Sequence, residues 1–512
     1  MIFGLPINIK KEIFNILLSI ISGILLAFSS VTLNSYLAWI ALVPLFIAVY
    51  DNKIKSSILN ISIFTTLLGG IGYLWIPETI QRYNGTYSIV SFAGMLALIV
   101  SNLLLLIIWI IAYKYLIINS EKPKTKSIIY NTVLISILYF LIEFININLF
   151  PGVPWNKFNL RNTIASNEYF IQTASLFGSV GLSLFIISVN YLIAEFIRTR
   201  NKTGLMIGIG IFLANLAYGV IILNSEQDTK NKRTVALVCE NVKAETKWTE
   251  EGDDIIAKML DLINEVKTFK PGLIVWPESA LPWTYIENDD ILLAIAGILK
   301  GNETQNIIGY LTQSESDSNL VYNSAYLIDK NGRAIGRYDK NILLDFIEKP
   351  LLSDDYSNLL PMLVQSQYDN VLPGKDNKLL HTSIGKCKVE ICNESLVPEY
   401  FYSGDVSFEF MVNISNDAWL VGTQNIELHF YLARLKAVEY RKYLIINSNR
   451  GISGIVDNKG RVQVSSQAEV PEKLIGYIIP NKDRTLYSRF PLLLPALAFL
   501  IIIIFTKNKL KK

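Results

Sequence analysis

The sequence predicts two kinds of structure in one chain: a polytopic α-helical membrane domain of about eight spans and an α/β domain. Hydrophobic residues make up 51% of the 512 residues, charged residues make up 18%, and the mean hydropathy is +0.34. Soluble domains usually carry about 25% charged residues, so part of the chain is expected to lie in lipid. Long apolar runs fall within residues 1–224 and 489–512, whereas short β-branched runs fall between them.

Eight apolar segments are candidates for membrane-spanning helices, because a helix needs about 20 apolar residues to cross a bilayer. The second candidate is short and contains Pro44, which makes it the weakest. A competing interpretation as buried core helices fits poorly with eight segments that are mostly long and nearly free of charge. The candidates are residues 13–31, 36–50, 58–76, 88–113, 128–149, 169–197, 205–223 and 490–505.

Basic residues around these segments predict how the chain is oriented in the membrane. If the N-terminus is cytoplasmic and every segment crosses, the short external loops hold only Arg82, Lys157 and Arg161 as basic residues. The loops on the other side and both ends of the chain are rich in lysine and arginine. Because cytoplasmic loops carry an excess of these residues, both termini are expected in the cytoplasm and the α/β domain outside it.

The segment between the seventh and eighth spans has the pattern of a globular α/β domain. Its β-branched runs predict strands buried on both faces, at residues 235–238, 273–276, 307–310, 389–391 and 410–414. Amphipathic stretches at 254–267 and 427–440 predict helices. The predicted domains are therefore residues 1–224 with about seven spans, residues 225–488 as the α/β domain, and residues 489–512 as the last span with its basic tail.

Cysteine and histidine usage excludes several classes of site. The three cysteines, Cys239, Cys387 and Cys392, are too few for a disulfide framework and form no C-x-x-C pair for zinc. The chain has two histidines, His381 and His429. A metal site is therefore not expected, and without a G-x-S-x-G motif a Ser-His-Asp triad is not expected either. No basic patch with interleaved aromatics favours nucleic-acid binding.

Three short segments of the α/β domain place a reactive side chain at or just after a predicted strand. Glu278 follows Trp276 and Pro277, and burial there suits a carboxylate to act as a general base. Lys340 ends the segment Tyr338-Asp339-Lys340, and Cys392 follows a strand in the third segment. A nearby ammonium group and a helix N-terminus favour a thiolate. Each segment alone has a plainer interpretation: a helix cap, a solvated lysine and a small buried hydrophobe.

Together, in the order Glu, Lys, Cys, these segments resemble the nitrilase superfamily over residues 235–479. The resemblance includes the Ile-Cys-x-Glu-x-x-x-Pro segment around Cys392 and the segment Ile414-Ser-Asn416-Asp417-Ala-Trp419. It implies a nitrilase-like α-β-β-α sandwich. In that fold Glu278 would be the general base, Lys340 would stabilise the tetrahedral oxyanion and Cys392 would be the nucleophile. Glu348 and Glu394 are candidates for an additional carboxylate beside the lysine.

The arrangement of seven spans before this domain and one after it resembles the apolipoprotein N-acyltransferase branch of that superfamily. Trp248 resembles a tryptophan near the substrate entrance of the branch, and the segment ending in Glu348 resembles the one with its additional glutamate. The loop Pro151-Gly-Val-Pro-Trp155 resembles its Pro-Trp loop. Asn416 and Trp419 are expected to support the site or contact substrate. The sequence departs from the branch at Asn393, where an aromatic residue is common.

The resemblance implies an acyltransferase of the bacterial cytoplasmic (inner) membrane. A phospholipid, phosphatidylethanolamine by the resemblance, would acylate Cys392, and no metal or cofactor would be needed. The acyl group would then pass to the free α-amine of a diacylglyceryl-cysteine apolipoprotein. Two alternatives stay open: a membrane-anchored amidase in which water resolves the thioester, and a transporter with a ligand-binding external domain. The transporter is disfavoured because ionisable residues inside membrane spans mark transport paths. Few such residues lie within the predicted spans, and Glu143 and Glu195 are the exceptions.

The remaining cysteines and one histidine have weaker expectations. Cys387 lies five residues before Cys392, near the opposite end of the strand, and is expected to be structural. Cys239 is expected in the core or at the wall of the site. His429, on a predicted helix, is expected to pack or to support the site rather than to catalyse.

Overall fold

The computed structural model describes residues 7–50, 53–84, 89–118, 124–152, 158–226, 230–345, 347–349, 370–397 and 406–510. The chain divides into two compact units. The helical unit comprises Met1–Leu149, Asn156–Ser225 and Arg489–Lys512, and the sheet unit comprises Phe150–Trp155 and Glu226–Ser488.

The helical unit has the predicted character of a polytopic membrane domain. Among the described residues, seven helices are long and apolar enough to cross a membrane, and Leu37–Tyr50 is a shorter apolar helical segment. This agrees with about eight spans. The helices are Ile7–Val31, Val43–Tyr50, Ile54–Gly72, Trp75–Asn84, Ile89–Leu116, Thr125–Leu149, Arg161–Ile164, Ala174–Phe177, Leu182–Thr199, Lys202–Asn224 and Leu493–Leu510.

Two predicted spans differ from the observed helices. The second consists of a 3-10 helix, Leu37–Trp39, and the helix Val43–Tyr50. Between them, Asn190 donates from Nδ2 to Ala38 O at 2.8 Å and accepts the Leu42 N–H at 2.8 Å. In an unbroken helix these backbone groups would be paired within the helix. Here Asn190 supplies their partners, because lipid offers no hydrogen-bonding groups.

The sixth predicted span, residues 169–197, is interrupted near its start. The short helix Ala174–Phe177 ends at Gly178, and the long helix is Leu182–Thr199. Gly178 has φ +73°, a backbone conformation that glycine adopts without the penalty of a Cβ. The apolar run is continuous in sequence, so hydropathy alone does not reveal this break.

The sheet unit contains two sheets, and each of the five predicted strands overlaps an observed strand. The described strands are β1 (Arg233–Cys239), β2 (Leu273–Val275), β3 (Gln305–Gln313), β4 (Val321–Ile328), β5 (Ala334–Asp339), β6 (Val371–Leu372), β7 (Leu380–Thr382), β8 (Gly385–Ile391), β9 (Phe410–Asn416), β10 (Leu444–Asn449), β11 (Gly454–Val456), β12 (Val462–Ser465) and β13 (Glu472–Ile478). Its helices are Trp248–Lys267, Asp290–Ile298, Asn425–Tyr440 and Leu486–Arg489, with a 3-10 helix at Cys392–Leu396.

Strand order places the ends of β2, β5 and β8 in two different sheets. Within the described residues the first sheet has the order β13-β1-β2-β3-β4-β5, with β6 paired to β4. The second sheet has the order β12-β11-β10-β9-β8-β7. The strands β1, β2 and β3 are parallel, as are β8, β9 and β10. A parallel core of this kind carries its reactive groups at the carboxyl ends of the strands.

Side-chain alternation along the strands builds the four layers. In β1, Val235 and Leu237 pack into the core between the two sheets, whereas Ala236 and Val238 pack toward helices. Successive side chains of a strand point to opposite faces, so a continuous apolar run serves both cores. The helices Trp248–Lys267 and Asp290–Ile298 cover the first sheet, and Asn425–Tyr440 covers the second. The predicted α-β-β-α sandwich is confirmed.

Candidate active site

Glu278 lies just after β2, where the chain turns sharply over the neighbouring strand. A Cβ on Gly309 of β3 would lie 2.6 Å from Pro277 O and 2.5 Å from Ser279 N. Only glycine permits this close approach, so the turn at Glu278 packs directly against β3. Glu278 is buried, at 7% exposed.

Lys340 directly follows β5 and is almost completely buried, at 1% exposed. Its Nζ donates to Glu348 Oε2 at 2.7 Å and lies 3.7 Å from Glu278 Oε1. The Lys340 backbone N–H also donates to Asn323 O at 2.8 Å, which fixes the strand end beside β4. One lysine therefore lies between two buried carboxylates.

Asn323 of β4 links those two carboxylates. Its Nδ2 donates to Glu278 Oε1 at 2.7 Å and to Glu348 Oε1 at 3.2 Å. Glu348 Oε2 also accepts the Leu344 N–H at 2.8 Å. Sequence reasoning did not single out Asn323. The available signal was a polar side chain within a strand that is otherwise buried.

The charges of this cluster act on one another strongly because the side chains are removed from water. Burial raises the pKa of Glu278, and Glu348 adds to the shift while Lys340 opposes it. Burial opposes the charge on Lys340, but Glu348 and Glu278 outweigh it and raise the pKa of Lys340 above its ordinary value. Lys340 is therefore a fixed cation, and Glu278 is a carboxylate that accepts a proton more readily than an exposed glutamate does.

Cys392 follows β8 and begins the 3-10 helix Cys392–Leu396. Its φ is +53°, a left-handed conformation that costs a non-glycine residue on the order of 1–3 kcal/mol. Its backbone carbonyl accepts hydrogen bonds from Asn413 Nδ2 at 3.2 Å and Ser395 Oγ at 3.0 Å, which hold this conformation. The result is a sharp turn with the thiol at its tip.

The charges of Glu278 and Lys340 act on the Cys392 thiol. Burial and the Glu278 charge raise the pKa of Cys392 well above its ordinary value, whereas Lys340 lowers it. In the resting site the sulfur is thus a thiol, and its proton must be removed before it can act as a nucleophile.

Glu394 is a separate buried carboxylate that ties the Lys340 and Cys392 segments together. It accepts the Asn341 N–H at 2.7 Å, the Ile342 N–H at 3.1 Å and the Ile391 N–H at 2.7 Å. Tyr338 OH lies 2.9 Å from each of its oxygens. Asn341 directly follows Lys340, and Ile391 directly precedes Cys392. The sequence left both Glu348 and Glu394 as candidates for the carboxylate beside the lysine. In the structure Glu348 accepts from Lys340 Nζ, whereas Glu394 accepts from backbone N–H groups.

The other supporting residues lie in different surroundings. Trp248 packs edge-on against Trp283, with ring centroids 5.8 Å apart. Asn416 Oδ1 accepts from Asn449 Nδ2 at 3.0 Å. Trp419 is partly buried in the turn after Asp417. These contacts of Trp248 and Asn416 are not with Glu278, Lys340 or Cys392. Trp155, Phe346 and Pro398, which belong to the resembling segments, lie outside the described residues.

The remaining cysteines are core residues. Cys387 is completely buried and packs between the two sheets. Cys239 is also buried, and burial raises the pKa of its thiol to about 12. Lys340 lowers the pKa of Cys392, and no cation in the described part of the chain has that effect on Cys239 or Cys387.

Comparison with known proteins gives matches over most of the chain. Residues 234–485 match the carbon-nitrogen hydrolase family, and residues 22–192 match the apolipoprotein N-acyltransferase N-terminal domain. The apolipoprotein N-acyltransferase of Geobacter metallireducens is 27% identical over 493 residues, covering 93% of this chain and 91% of the relative. That of Rhizobium leguminosarum bv. trifolii is 30% identical over 370 residues, covering 67% and 66%. Among solved structures, Saccharomyces cerevisiae Nit3 of the nitrilase superfamily is 16% identical with a TM-score of 0.37, covering 53% of this chain and 97% of Nit3.

Proposed function

Because this chain belongs to the apolipoprotein N-acyltransferase family, we propose that it is a membrane enzyme that N-acylates lipoproteins. The proposed acyl donor is a phospholipid, phosphatidylethanolamine. The acceptor is the α-amine of a diacylglyceryl-cysteine apolipoprotein. The observation that carries the proposal is the buried Glu278–Lys340–Glu348 cluster that acts on the Cys392 thiol.

In the first step Glu278 takes the Cys392 proton, and the sulfur attacks the carbonyl carbon of the donor ester. The C–S bond forms, and the negative charge on the carbonyl oxygen is stabilised by Lys340, whose charge is kept by Glu348. The ester C–O bond then breaks, and the proton passes from Glu278 to the leaving lysophospholipid oxygen. The acyl group remains on Cys392 as a thioester.

In the second step the acceptor amine attacks the thioester carbon and loses a proton to Glu278. The C–S bond breaks, the amide forms, and the Cys392 thiolate recovers its proton from Glu278. Lys340 stabilises the oxyanion again. The cycle needs no metal and no cofactor, since the ester supplies the activated acyl group.

The multi-pass helical unit suits substrates that carry fatty acyl chains, since those chains need a lipid environment. We place the protein in the bacterial cytoplasmic (inner) membrane with the sheet unit on its outer side. The scarcity of basic residues in the short external loops supports this orientation. Residues 1–224, 225–488 and 489–512 remain our proposed functional division into membrane, catalytic and C-terminal anchoring segments.

The test uses the purified full chain in detergent and a phospholipid with a labelled acyl chain. Label should accumulate on Cys392 as a hydroxylamine-sensitive thioester, and Cys392→Ala should abolish it while the matched Cys387→Ala retains it. A diacylglyceryl-cysteine peptide with a free α-amine should discharge the label as an amide. The same peptide with an acetylated amine should leave it in place. Rapid loss of label to water without any peptide would favour the amidase, and label on Cys387 in place of Cys392 would refute the mechanism.

A further inference from the structure

His429, on the helix Asn425–Tyr440, is 2% exposed and has a hydrogen-bond partner at each ring nitrogen. Its Nδ1 lies 2.8 Å from Asp417 Oδ1, and its Nε2 lies 3.4 Å from the backbone oxygen of Cys392. A carbonyl oxygen can only accept a hydrogen bond, so Nε2 carries a proton. An ionised carboxylate can also only accept, so Nδ1 carries a proton as well.

A histidine with protons on both nitrogens is a cation. We propose that His429 is a permanently charged positioning residue, an imidazolium held between Asp417 and the Cys392 carbonyl, which fixes the nucleophile turn and stabilises the Cys392 thiolate. The proposal rests on the proposed function, in which Cys392 is the nucleophile. His429 acts through Cys392.

Asp417 is held in a fixed place that favours this pairing. It follows β9, and its backbone N–H donates to Asn449 O at 2.9 Å. A Cβ on Gly451 would lie 2.4 Å from Asp417 Oδ2, so the chain packs directly against the carboxylate. The 2.8 Å separation from Nδ1 has the length of a charge-assisted hydrogen bond.

The charge count at the nucleophile explains why a second cation is useful. Glu278, Asp417 and Glu348 all act to raise the pKa of Cys392, and Lys340 lowers it. Ionisation of the thiol adds a further negative charge to this buried group. A charged His429 offsets Asp417 and leaves Lys340 free to act on the thiolate and on the oxyanion.

The groups that act on His429 favour its charged form. Burial lowers the pKa of His429, but Asp417, after β9, and Glu278, after β2, act in the opposite direction, as does the hydrogen bond to Cys392 O. The outcome is a pKa raised above the ordinary value. The geometry of the two acceptors and this electrostatic balance therefore agree.

The same contact has a mechanical consequence. Cys392 has a φ of +53°. Its carbonyl oxygen accepts hydrogen bonds from Asn413 and Ser395 and, as a third donor, from His429 Nε2. Two of the three donors come from outside the turn. Removal of the His429 donor is expected to loosen the turn and to misplace the sulfur.

Histidine NMR of the full chain in detergent tests the charge directly. The chain has two histidines, so His381→Gln assigns the remaining resonance to His429. With selectively ¹⁵N-labelled histidine we expect both His429 nitrogens to be protonated at about pH 7.5, beyond the ordinary range near 6.5. In Asp417→Asn the ring should become neutral at that pH. A neutral His429 in the unsubstituted protein would overturn the proposal.

Alkylation of Cys392 by iodoacetamide tests the effect on the thiolate. In a Cys239→Ala/Cys387→Ala background, His429→Gln keeps one donor but no charge. Its alkylation at about pH 7 should be about tenfold slower, as expected for a thiol pKa raised by about one unit. His381→Gln is the matched control and should leave the rate unchanged. His429→Asn also keeps a donor but no charge and should slow alkylation likewise, which keeps the test available if His429→Gln does not fold.

The readouts separate this inference from the proposed function. An alkylation rate that is unchanged in both folded variants refutes the role of His429, whatever the enzyme acylates. Absence of an acyl thioester on Cys392 of the unsubstituted protein refutes the proposed function, while NMR still reports whether the histidine is charged.

Discussion

Replacement of Glu394 by glutamine should weaken the sheet unit and misalign both reactive segments. The carboxylate accepts three backbone N–H groups and the Tyr338 hydroxyl. A glutamine has one oxygen, which can serve Asn341 and Ile342, but its NH₂ then faces the Ile391 N–H. That buried donor loses its partner at a cost of about 1–3 kcal/mol. The remaining hydrogen bonds no longer have a charged acceptor, which costs about 1 kcal/mol more. We expect a destabilisation of about 3 kcal/mol.

Thermal unfolding followed by tryptophan fluorescence in detergent measures this loss. A change of about 3 kcal/mol should lower the midpoint by about 6–12 °C for a unit of this size. Glu303→Gln is the matched control: Glu303 pairs at 2.7 Å with Lys330, its side chain is 83% exposed, and such pairs contribute little. Equal midpoints for the two variants would refute the assignment of Glu394 as the tie between the Lys340 and Cys392 segments.

Three further results are expected. Lys340→Ala should reduce acyl transfer by about 10²–10³, as for loss of one oxyanion donor, while the exposed Lys330→Ala retains activity in the same assay; near-normal transfer by Lys340→Ala would remove it from that role. The rate of thioester formation should fall as the pH is lowered through the raised pKa of Glu278, because protonated Glu278 cannot take the thiol proton; a rate that falls only in the ordinary glutamate range, measured in single turnovers, would contradict this. Cysteine labelling in intact cells should reach a cysteine placed at Asp254 from outside and one placed at Lys512 from inside only, and the reverse pattern would overturn the proposed orientation.

The sequence was most informative where a local pattern determines the structure. Five of the buried strands were visible as β-branched runs, because a strand covered on both faces has no polar side to alternate with. The buried strands β4 and β10 were not predicted. The reactive residues Glu278 and Cys392 were visible because polar side chains follow such runs directly. The helical unit was visible through hydropathy, since lipid demands long apolar runs.

What the sequence could not supply were contacts between segments far apart in the chain. Asn323 reaches Glu278 across 45 positions, and no spacing rule links them. His429 contacts Cys392 across 37 positions, and its packing role was expected without its partner. The breaks within the second and sixth predicted spans depend on Asn190 and Gly178, whose effects appear only when the helices pack.

The hydrogen bonds of the two carboxylates beside Lys340 distinguish their roles. Glu348 Oε1 accepts from Asn323, and its Oε2 accepts from Lys340 and Leu344. A proton on Glu348 would therefore displace a donor. Glu278 Oε1 accepts from Asn323, but within the described residues Glu278 Oε2 accepts no hydrogen bond. Glu278 can gain a proton without breaking an existing bond, which favours it as the base and leaves Glu348 to keep Lys340 charged through both steps.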